Sequence, residues 1–314
     1  MHRIDGPGAT VDNKFTDGDP VGGIQATLVT DDWLNDVQEN IMAVLVAAAV
    51  SPTKGRSADL VDAIRSISPG AVGSVRNAKM SLVAASASAT FTSDQVVVAS
   101  SLGGATYRLS SFSKIINLAT IGAGGMDTGS APLSGFVGLY AIYNPSNGAS
   151  ALLAVNATSA LLPNVYGGAS MPAGYTASAL ISVWGTNGSG QFVIGLQVDR
   201  EISIATNTVF TTTTVQASLT SFSISAVVPR NAVTCRGDYT VGSSAASAGA
   251  SAVLCGSPIE IGRVAQGGTS ATAGATMVSS FPHLPILTAQ TLYYRGSVSA
   301  GTYNFVVSIS SYVF

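Results

Sequence analysis

Side chains that perform chemistry are sparse in this sequence, and histidine is the scarcest of them. Only His2 and His283 occur among 314 residues, which is too few for a histidine-based metal cluster. A Ser-His-Asp triad would have to use His283. This histidine lies between two prolines in Phe281–Pro285 and is predicted to occupy a loop or turn, where histidines are more often structural. The sequence therefore predicts no metal site, no cofactor and no nucleophile activated by histidine.

Paired carboxylates, which cleave glycosidic bonds in most glycoside hydrolases, are also scarce. The last 244 residues contain only six acidic side chains. Asp199 and Glu201 are two apart and would share one face of a strand, but Arg200 between them indicates a solvated turn. Asp31 and Asp32 are explained by the start of a helix, where negative charge is favourable. We therefore expect a protein without catalytic residues, and a polysaccharide-degrading enzyme is disfavoured.

The two cysteines are Cys235 and Cys255, twenty residues apart. They could form a disulfide if their strands are neighbours, because the bond needs close Cα atoms. The alternative is two separate reduced thiols, and the sequence leaves both open.

Charge is divided unevenly along the chain. Residues 1–70 contain 15 of the 30 charged side chains, with 10 acids and 5 bases. The remainder contains 6 acids and 9 bases among many Gly, Ser, Ala, Thr and Val residues, which is too dilute for nucleic-acid binding. The longest apolar run, Ile41–Val50, is shorter than a membrane span, so we expect no membrane insertion. Such a weakly charged body must bury its surface in itself, in copies of itself or in a larger assembly.

A helix is predicted to begin near Thr30, which is a good N-cap, and to end before Pro52. Its apolar residues alternate spacings of three and four, as in a coiled-coil seam: Leu34, Val37, Ile41, Val44 and Ala48. The helix could pack on its own domain or against the same helix of other copies. We favour a seam between copies, because Ile41–Val50 is apolar on every side and the short N-terminal region cannot cover it alone.

A second helix is predicted at Ser57–Ile67, and Ser68–Gly70 should end it and mark a domain boundary. Beyond residue 74 the apolar period changes to two, which is typical of half-buried antiparallel strands. The clearest predicted strands are Ser81–Ala87, Gln95–Ala99, Phe136–Tyr143, Ala151–Val155, Ala179–Trp184, Phe192–Val198, Phe222–Val228, Leu292–Val298 and Tyr303–Ile309.

The fold class is therefore predicted to be mainly β, with a short N-terminal helical region followed by antiparallel β-sandwich-like domains. The Thr-rich segment 206–214 is interpreted as a connector between two such domains, and 242–251 as a loop. The expected domains are 1–70, 71–206 and 207–314.

Several segments resemble the tail-fibre and receptor-binding proteins of tailed bacteriophages and related prophages. The N-terminal segments are Phe15–Pro20, Ala26–Thr27, Trp33–Asn35 and Val37–Glu39, and the others are Ile116–Thr120, Gly122–Thr128, Gly138–Pro145, Met171–Thr176 and Thr288–Phe314. The resemblance covers most of the chain. It implies a homotrimer in the virion, held by tail or baseplate proteins through residues 1–70. It also implies a C-terminal end that faces a receptor on the host cell, such as a pilus or polysaccharide. The first residues contain no apolar signal-peptide segment, so we expect synthesis in the host cytoplasm.

Receptor recognition by a weakly charged β surface would use aromatic, amide and hydroxyl groups. In the predicted strand Leu292–Val298, Leu292 and Tyr294 share one face and Tyr293 and Arg295 the other. If the first face is core, Tyr293 and Arg295 point outward as candidate receptor-binding residues. The alternatives are that both pack against a neighbouring chain, or that the protein is a purely structural baseplate or tail-tip component that anchors other fibres.

Overall fold

A computed structural model describes residues 2–48, 50–67 and 70–314. The chain divides into two compact units. The head is residues 1–70 together with 103–106, and the body is residues 71–102 and 107–314. The division after residue 70 coincides with the boundary expected from the sequence, although positions 68 and 69 of the predicted helix stop lie outside the described residues.

The described residues of the head form two helices, α1 (Asp31–Ala47) and α2 (Asp59–Ile67). Thr30 is the N-cap of α1 as predicted, because its hydroxyl accepts a hydrogen bond from the Trp33 amide at 3.4 Å. The second helix begins two residues after the predicted Ser57. The reason is that the Asp59 carboxylate accepts a hydrogen bond from the Thr53 amide at 2.7 Å, so the preceding segment is tied into a turn.

The predicted seam on α1 is largely open in the single chain. Leu45 is the buried residue of this helix, whereas Leu34 is 53% and Ile41 is 41% exposed. Val37, Val44 and the C-cap Ala48 are half-buried. The chain before α1 folds back on it through an edge-to-face contact of Phe15 with Trp33. None of the described helices is long and apolar enough to span a membrane.

The described body is built from strands, most of them 4–12 residues long. They are β1 (Val75–Arg76), β2 (Lys79–Leu82), β3 (Ser88–Ala99), β4 (Thr106–Asn117), β5 (Phe136–Tyr143), β6 (Ser150–Asn156), β7 (Ala177–Gly185), β8 (Gly195–Val198), β9 (Glu201–Thr212), β10 (Thr220–Ser223), β11 (Thr234–Ser243), β12 (Gly249–Cys255), β13 (Val264–Thr269), β14 (Thr276–Pro285), β15 (Thr291–Val298) and β16 (Tyr303–Val313).

Among the described residues these strands form two sheets. The larger, of twelve strands, follows the order β14-β11-β16-β9-β8-β2-β3-β7-β5-β6, with β1 and β4 also paired to β3. The smaller sheet has the order β10-β15-β12-β13. The predicted fold class, mainly antiparallel β with a short helical N-terminal region, is confirmed.

The expected boundary between residues 206 and 207 falls inside a strand. Residues 206–212 of the segment interpreted as a connector belong to β9, which pairs with β8 on one side and β16 on the other. Threonine is β-branched and suits a strand, so a run of threonines did not mark a linker here. The loop predicted at 242–251 is likewise shorter, because β11 extends to Ser243 and β12 begins at Gly249.

An aromatic cluster joins the two sheets. Phe305 of β16 is fully buried, and its ring stacks on Tyr294 of β15 with centroids 5.4 Å apart. Phe210 of β9 stacks on Phe222 of β10 at 4.2 Å. The members of the aromatic cluster are Phe210, Phe222, Tyr239, Tyr294, Tyr303 and Phe305. Large rings from both sheets therefore fill one core.

Of the two alternatives for the cysteines, the structure contains two free thiols, both buried. Burial raises the pKa of Cys235 to about 12, and burial also raises the pKa of Cys255. Both side chains therefore act as small apolar core residues at neutral pH.

Candidate functional site

Tyr293 and Arg295 lie in the middle of a sheet, on β15. This strand is paired on both sides, with β10 through Tyr293 and Ser221 and with β12 through Arg295 and Val253. Leu292 and Tyr294 point into the core and are buried, whereas Tyr293 and Arg295 are half-buried on the opposite face. The alternation predicted from the sequence is therefore present. A strand fixed on both edges presents these two side chains on a rigid backbone.

Arg295 belongs to a cluster of three charges, which we call the Arg–Glu–Arg cluster. Glu260 Oε1 lies 2.7 Å from Arg295 Nη2, and Glu260 Oε2 lies 3.2 Å from Arg263 Nε. The three side chains are 39–48% exposed. One carboxylate therefore holds two guanidinium groups at the surface of a body that has few other charges.

The loop after β12 positions Glu260 for both arginines. The Ser257 hydroxyl accepts hydrogen bonds from the amides of Ile259 and Ile261 at 3.3 and 2.9 Å. The Gly256 amide donates to the Ile261 carbonyl at 3.0 Å and closes the loop. Glu260 itself has a φ of 65°, a left-handed conformation that is uncommon for residues other than glycine. Backbone held in this region requires support from its surroundings, and here the Ser257 hydroxyl supplies it.

Sequence reasoning identified Arg295 but missed its partners. Glu260 and Arg263 precede it by 35 and 32 positions, and the loop that contains them is brought close to β15 by the pairing of β12 with β15. The sequence contains one indication of the cluster. Glu260 and Arg263 have opposite charges and are three residues apart, in a stretch with few other charged residues.

Hydroxyl groups surround this part of the sheet. The hydroxyls of Ser251 on β12 and Ser297 on β15 are 2.8 Å apart on the same face as Arg295. Ser221, opposite Tyr293 on β10, is exposed. The face therefore combines an aromatic ring, two arginines and several serine hydroxyls, which suits recognition of a polar ligand.

The carboxylates considered for glycoside hydrolysis have structural partners. The Asp199 carboxylate accepts a hydrogen bond from the Ala78 amide at 2.9 Å, and Asp199 stands in the tight turn between β8 and β9. The Glu201 carboxylate accepts the Ser311 hydroxyl at 2.8 Å and lies 3.3 Å from Arg236. The turn is present at Asp199 and Arg200, but the prediction that it is solvated is wrong for Arg200, which is half-buried and donates hydrogen bonds to the Phe314 and Gly73 main-chain oxygens.

The histidines are separated between the two units. His283 was predicted in a loop or turn, but it lies in β14 at an irregularity, with a φ of 41°. The pairing of β14 with β11 has a register shift at this point, because Pro282 has no N–H to donate to the neighbouring strand. His2 is in the head, where its Nδ1 lies 2.7 Å from the Asp36 carboxylate, and this hydrogen bond raises the pKa of His2. Neither histidine contacts an acidic residue of the body in the ranges that the structure describes.

A metal site and an apolar cavity are the other candidates among the described residues. No group of three or more His, Cys, Asp or Glu side chains there could hold a metal ion. A cavity of about 380 Å³ in the body is lined mainly by apolar groups, including Phe136, Ile204 and Tyr312. Its Thr186 hydroxyl already donates to the Pro132 carbonyl and accepts from the Gly135 amide. No charged side chain lines this cavity, so the surface around β15 is the stronger candidate.

Comparisons with known proteins give one local similarity. A stretch of 73 residues is 38% identical to the uncharacterized protein StfP of Escherichia coli strain K12. The match covers 21% of this chain and 35% of StfP, so the chain spans about a third of the length of the curated relative that it matches. No family model matches the chain.

Among solved structures, a Bacillus thuringiensis Cry1Da tryptic core variant aligns over 76% of this chain and 51% of its own. The identity is 8% and the TM-score is 0.17. A TM-score of this size does not indicate a shared fold, and it has no bearing on function.

Proposed function

We propose that this protein is a tail fibre or receptor-binding protein of a tailed bacteriophage or related prophage. It attaches the virion to a bacterial surface receptor without catalysing a reaction. The observation that carries the proposal is the outward presentation of Tyr293 and Arg295 on a strand that is paired on both sides. Aromatic and arginine side chains on a rigid scaffold are the residue types that most often dominate binding energy.

The head supplies the other half of the proposal, attachment to the tail or baseplate through residues 1–70. Half of the charged side chains of the chain are in this segment, which suits a polar contact with other virion proteins. The local similarity to StfP, which is named in the manner of a side tail fibre, supports the same class of protein. The corresponding location is the tail or baseplate of the virion.

A purely structural baseplate or tail-tip protein is the second candidate. The observation in its favour is that Arg295 already has an intramolecular partner, Glu260, at 2.7 Å. An arginine paired in this way can serve to anchor the loop after β12 rather than to bind a receptor. Binding of the body to cells separates the two candidates.

Receptor binding is tested by replacing both candidate residues, Tyr293→Ser with Arg295→Gln. We expect adsorption of the labelled full-length protein to host cells to fall at least tenfold, because hot-spot residues each contribute about 2 kcal/mol or more. The matched control is Tyr175→Ser with Arg108→Gln, a half-buried tyrosine and an exposed arginine elsewhere in the body. Equal adsorption by the parent and the first variant would reject this site and favour the structural candidate.

The homotrimer is proposed to form partly through the seam of α1, where Leu34 and Ile41 are exposed in the single chain. We expect the parent to have three times the chain mass of 31.5 kDa by light scattering. Leu34→Asp with Ile41→Asp should reduce this mass, because unpaired carboxylates would be buried between helices. Asn35→Asp with Gln38→Glu alters exposed residues off the seam and should leave it unchanged. A trimer that persists in the first variant would place the trimer interface outside the seam.

A further inference from the structure

The Arg–Glu–Arg cluster has more hydrogen-bond donors than its one carboxylate can accept. Glu260 uses one oxygen for each guanidinium, Oε1 for Arg295 and Oε2 for Arg263. A guanidinium has five N–H donors, so most donors on both arginines have no acidic partner among the described residues. The cluster therefore carries a net positive charge and has unused donors at the surface.

One donor in this cluster is buried as well as unpaired. Arg295 Nε is shielded from solvent, and no hydrogen-bond acceptor reaches it within the described part of the chain. A buried donor without a partner is uncommon in folded proteins and costs free energy. The Arg295 guanidinium therefore has Glu260 as its charged partner, and it shares that single carboxylate with Arg263. The arrangement suits an additional negatively charged group on the exposed side.

The position of the cluster limits the kind of ligand that it can bind. Both edges of β15 are occupied by β10 and β12, so its backbone cannot pair with an incoming peptide strand. Recognition must therefore use side chains. The neighbours on this face are the Tyr293 ring and the hydroxyls of Ser251 and Ser297. Hydroxyls for hydrogen bonds, an aromatic surface and arginines for an oxyanion together fit a saccharide better than a peptide.

We propose that the Arg–Glu–Arg cluster binds an oxyanion, a carboxylate or phosphate, carried by a saccharide of the bacterial surface. Arg263 and Arg295 bind the oxyanion, because guanidinium groups pair with carboxylate and phosphate through two parallel hydrogen bonds. Glu260 is the counter-charge that fixes the two guanidiniums in place. This inference rests on the proposed receptor-binding function and names the class of its ligand.

The test measures binding to the full-length protein directly. Saturation-transfer NMR is used for D-glucuronate and for uncharged D-glucose, and calorimetry for inorganic phosphate. We expect glucuronate and phosphate to bind with dissociation constants on the order of millimolar, which corresponds to about −4 kcal/mol. Glucose should show no binding at the same concentrations, since it lacks the oxyanion.

Two substitutions are expected to change the affinity in opposite directions. Arg263→Gln should weaken glucuronate binding by about threefold or more, because one unit charge near 6 Å in a water-like dielectric changes affinity by that amount. Glu260→Gln should strengthen it by a similar factor, because a repelling charge is removed. A merely structural cluster would lose stability in both variants and would not tighten binding in either.

The chain offers a matched control pair. Arg236 and Glu201 form another half-exposed ion pair of the body, 3.3 Å apart. Arg236→Gln changes the net charge by the same amount as Arg263→Gln, and Glu201→Gln by the same amount as Glu260→Gln. Both control variants should leave the affinity for glucuronate unchanged. If the control pair alters binding as much as the cluster pair, the attraction is non-specific and the inference is wrong.

The outcomes separate this inference from the proposed function. Adsorption to cells that depends on Tyr293 and Arg295, without binding of glucuronate or phosphate, would reject the oxyanion ligand and leave receptor binding in place. An oligoglutamate peptide that binds when neither small anion does would assign the surface to an acidic protein receptor and overturn the saccharide. Anion binding that responds to Glu260→Gln in a protein that adsorbs to no host cell would support the site and reject the proposed receptor-binding function.

Discussion

Replacement of Phe305 by alanine is expected to destabilise the body by about 3–5 kcal/mol, the range measured for large aromatic residues removed from cores. Phe305 is fully buried at the centre of the aromatic cluster. Its ring stacks on Tyr294 of the smaller sheet, and its centroid lies 6.0 Å from that of Tyr239 and 6.4 Å from that of Phe210. Removal of the ring leaves a cavity between the sheets that rigid strands cannot close. The measurement is chemical denaturation followed by circular dichroism.

The control for this substitution is Val306→Ala. Val306 is the next residue on β16 and is half-buried, and alternation along the strand places it on the opposite face from Phe305. Its loss should cost about 1 kcal/mol, which is typical of a small truncation at a partly exposed site. If Phe305→Ala and Val306→Ala shift the transition equally, the two sheets do not depend on the aromatic cluster for their packing.

Strands with strict alternation could be located from the sequence because burial of one face imposes a period of two. Phe136–Tyr143 was predicted with the bounds that β5 has, and Leu292–Val298 and Tyr303–Ile309 correspond to β15 and the start of β16. The prediction that these two strands form a hairpin across residues 299–301 is wrong, because β15 lies in the smaller sheet and β16 in the larger. Phe222–Val228 shows the limit of this signal. The alternation continues to Val228, but β10 ends at Ser223, because Ile224 starts a turn in which its carbonyl accepts the Val228 amide.

Segments without alternation were harder to interpret. In β9 several threonines are exposed, and the pairing with β16 has two register shifts. The strand therefore lacks a regular alternation of buried and exposed residues that the sequence could show. The Ser, Ala and Gly residues of β12 have side chains too small to show which face is buried, although Ala250 and Ala252 are both buried there. Each of these strands also pairs with a partner distant in sequence, β9 with β16 and β12 with β15, and a local pattern carries no information on such partners.

The same distinction applies to the candidate site. The outward direction of Tyr293 and Arg295 follows from alternation along a single strand, and the sequence predicted it. The partnership of Arg295 with Glu260 depends on the register of β12 with β15 and on the loop that follows Cys255. Neither can be derived from spacing, so the charges that define the chemistry of the site became apparent only in the fold.

Arg200 connects three distant parts of the body. Its Nε donates to the main-chain oxygen of Phe314 at 2.8 Å, and its Nη1 donates to the Gly73 carbonyl at 3.2 Å. The guanidinium also lies 4.5 Å from the centre of the Phe314 ring. Burial lowers the pKa of Arg200, which indicates that the charged group has lost part of its hydration. These contacts cross the predicted boundary at 206/207, so they test whether the body folds as one unit.

Arg200→Ala is expected to lower the free energy of unfolding by about 2–4 kcal/mol, because hydrogen bonds from a charged donor contribute about 1.5–3 kcal/mol each. Arg200→Lys should recover only part of this loss, since a single ammonium group cannot reproduce the fork that reaches both Gly73 and Phe314. Arg108→Ala, at an exposed position on β4, should change stability by less than about 0.5 kcal/mol. Thermal unfolding monitored by calorimetry measures all three.

A body that folds as one unit should show a single transition that moves to lower temperature in Arg200→Ala. Two transitions that both belong to the body of the parent, with Arg200→Ala shifting one and not the other, would instead indicate two independent domains divided near residue 206.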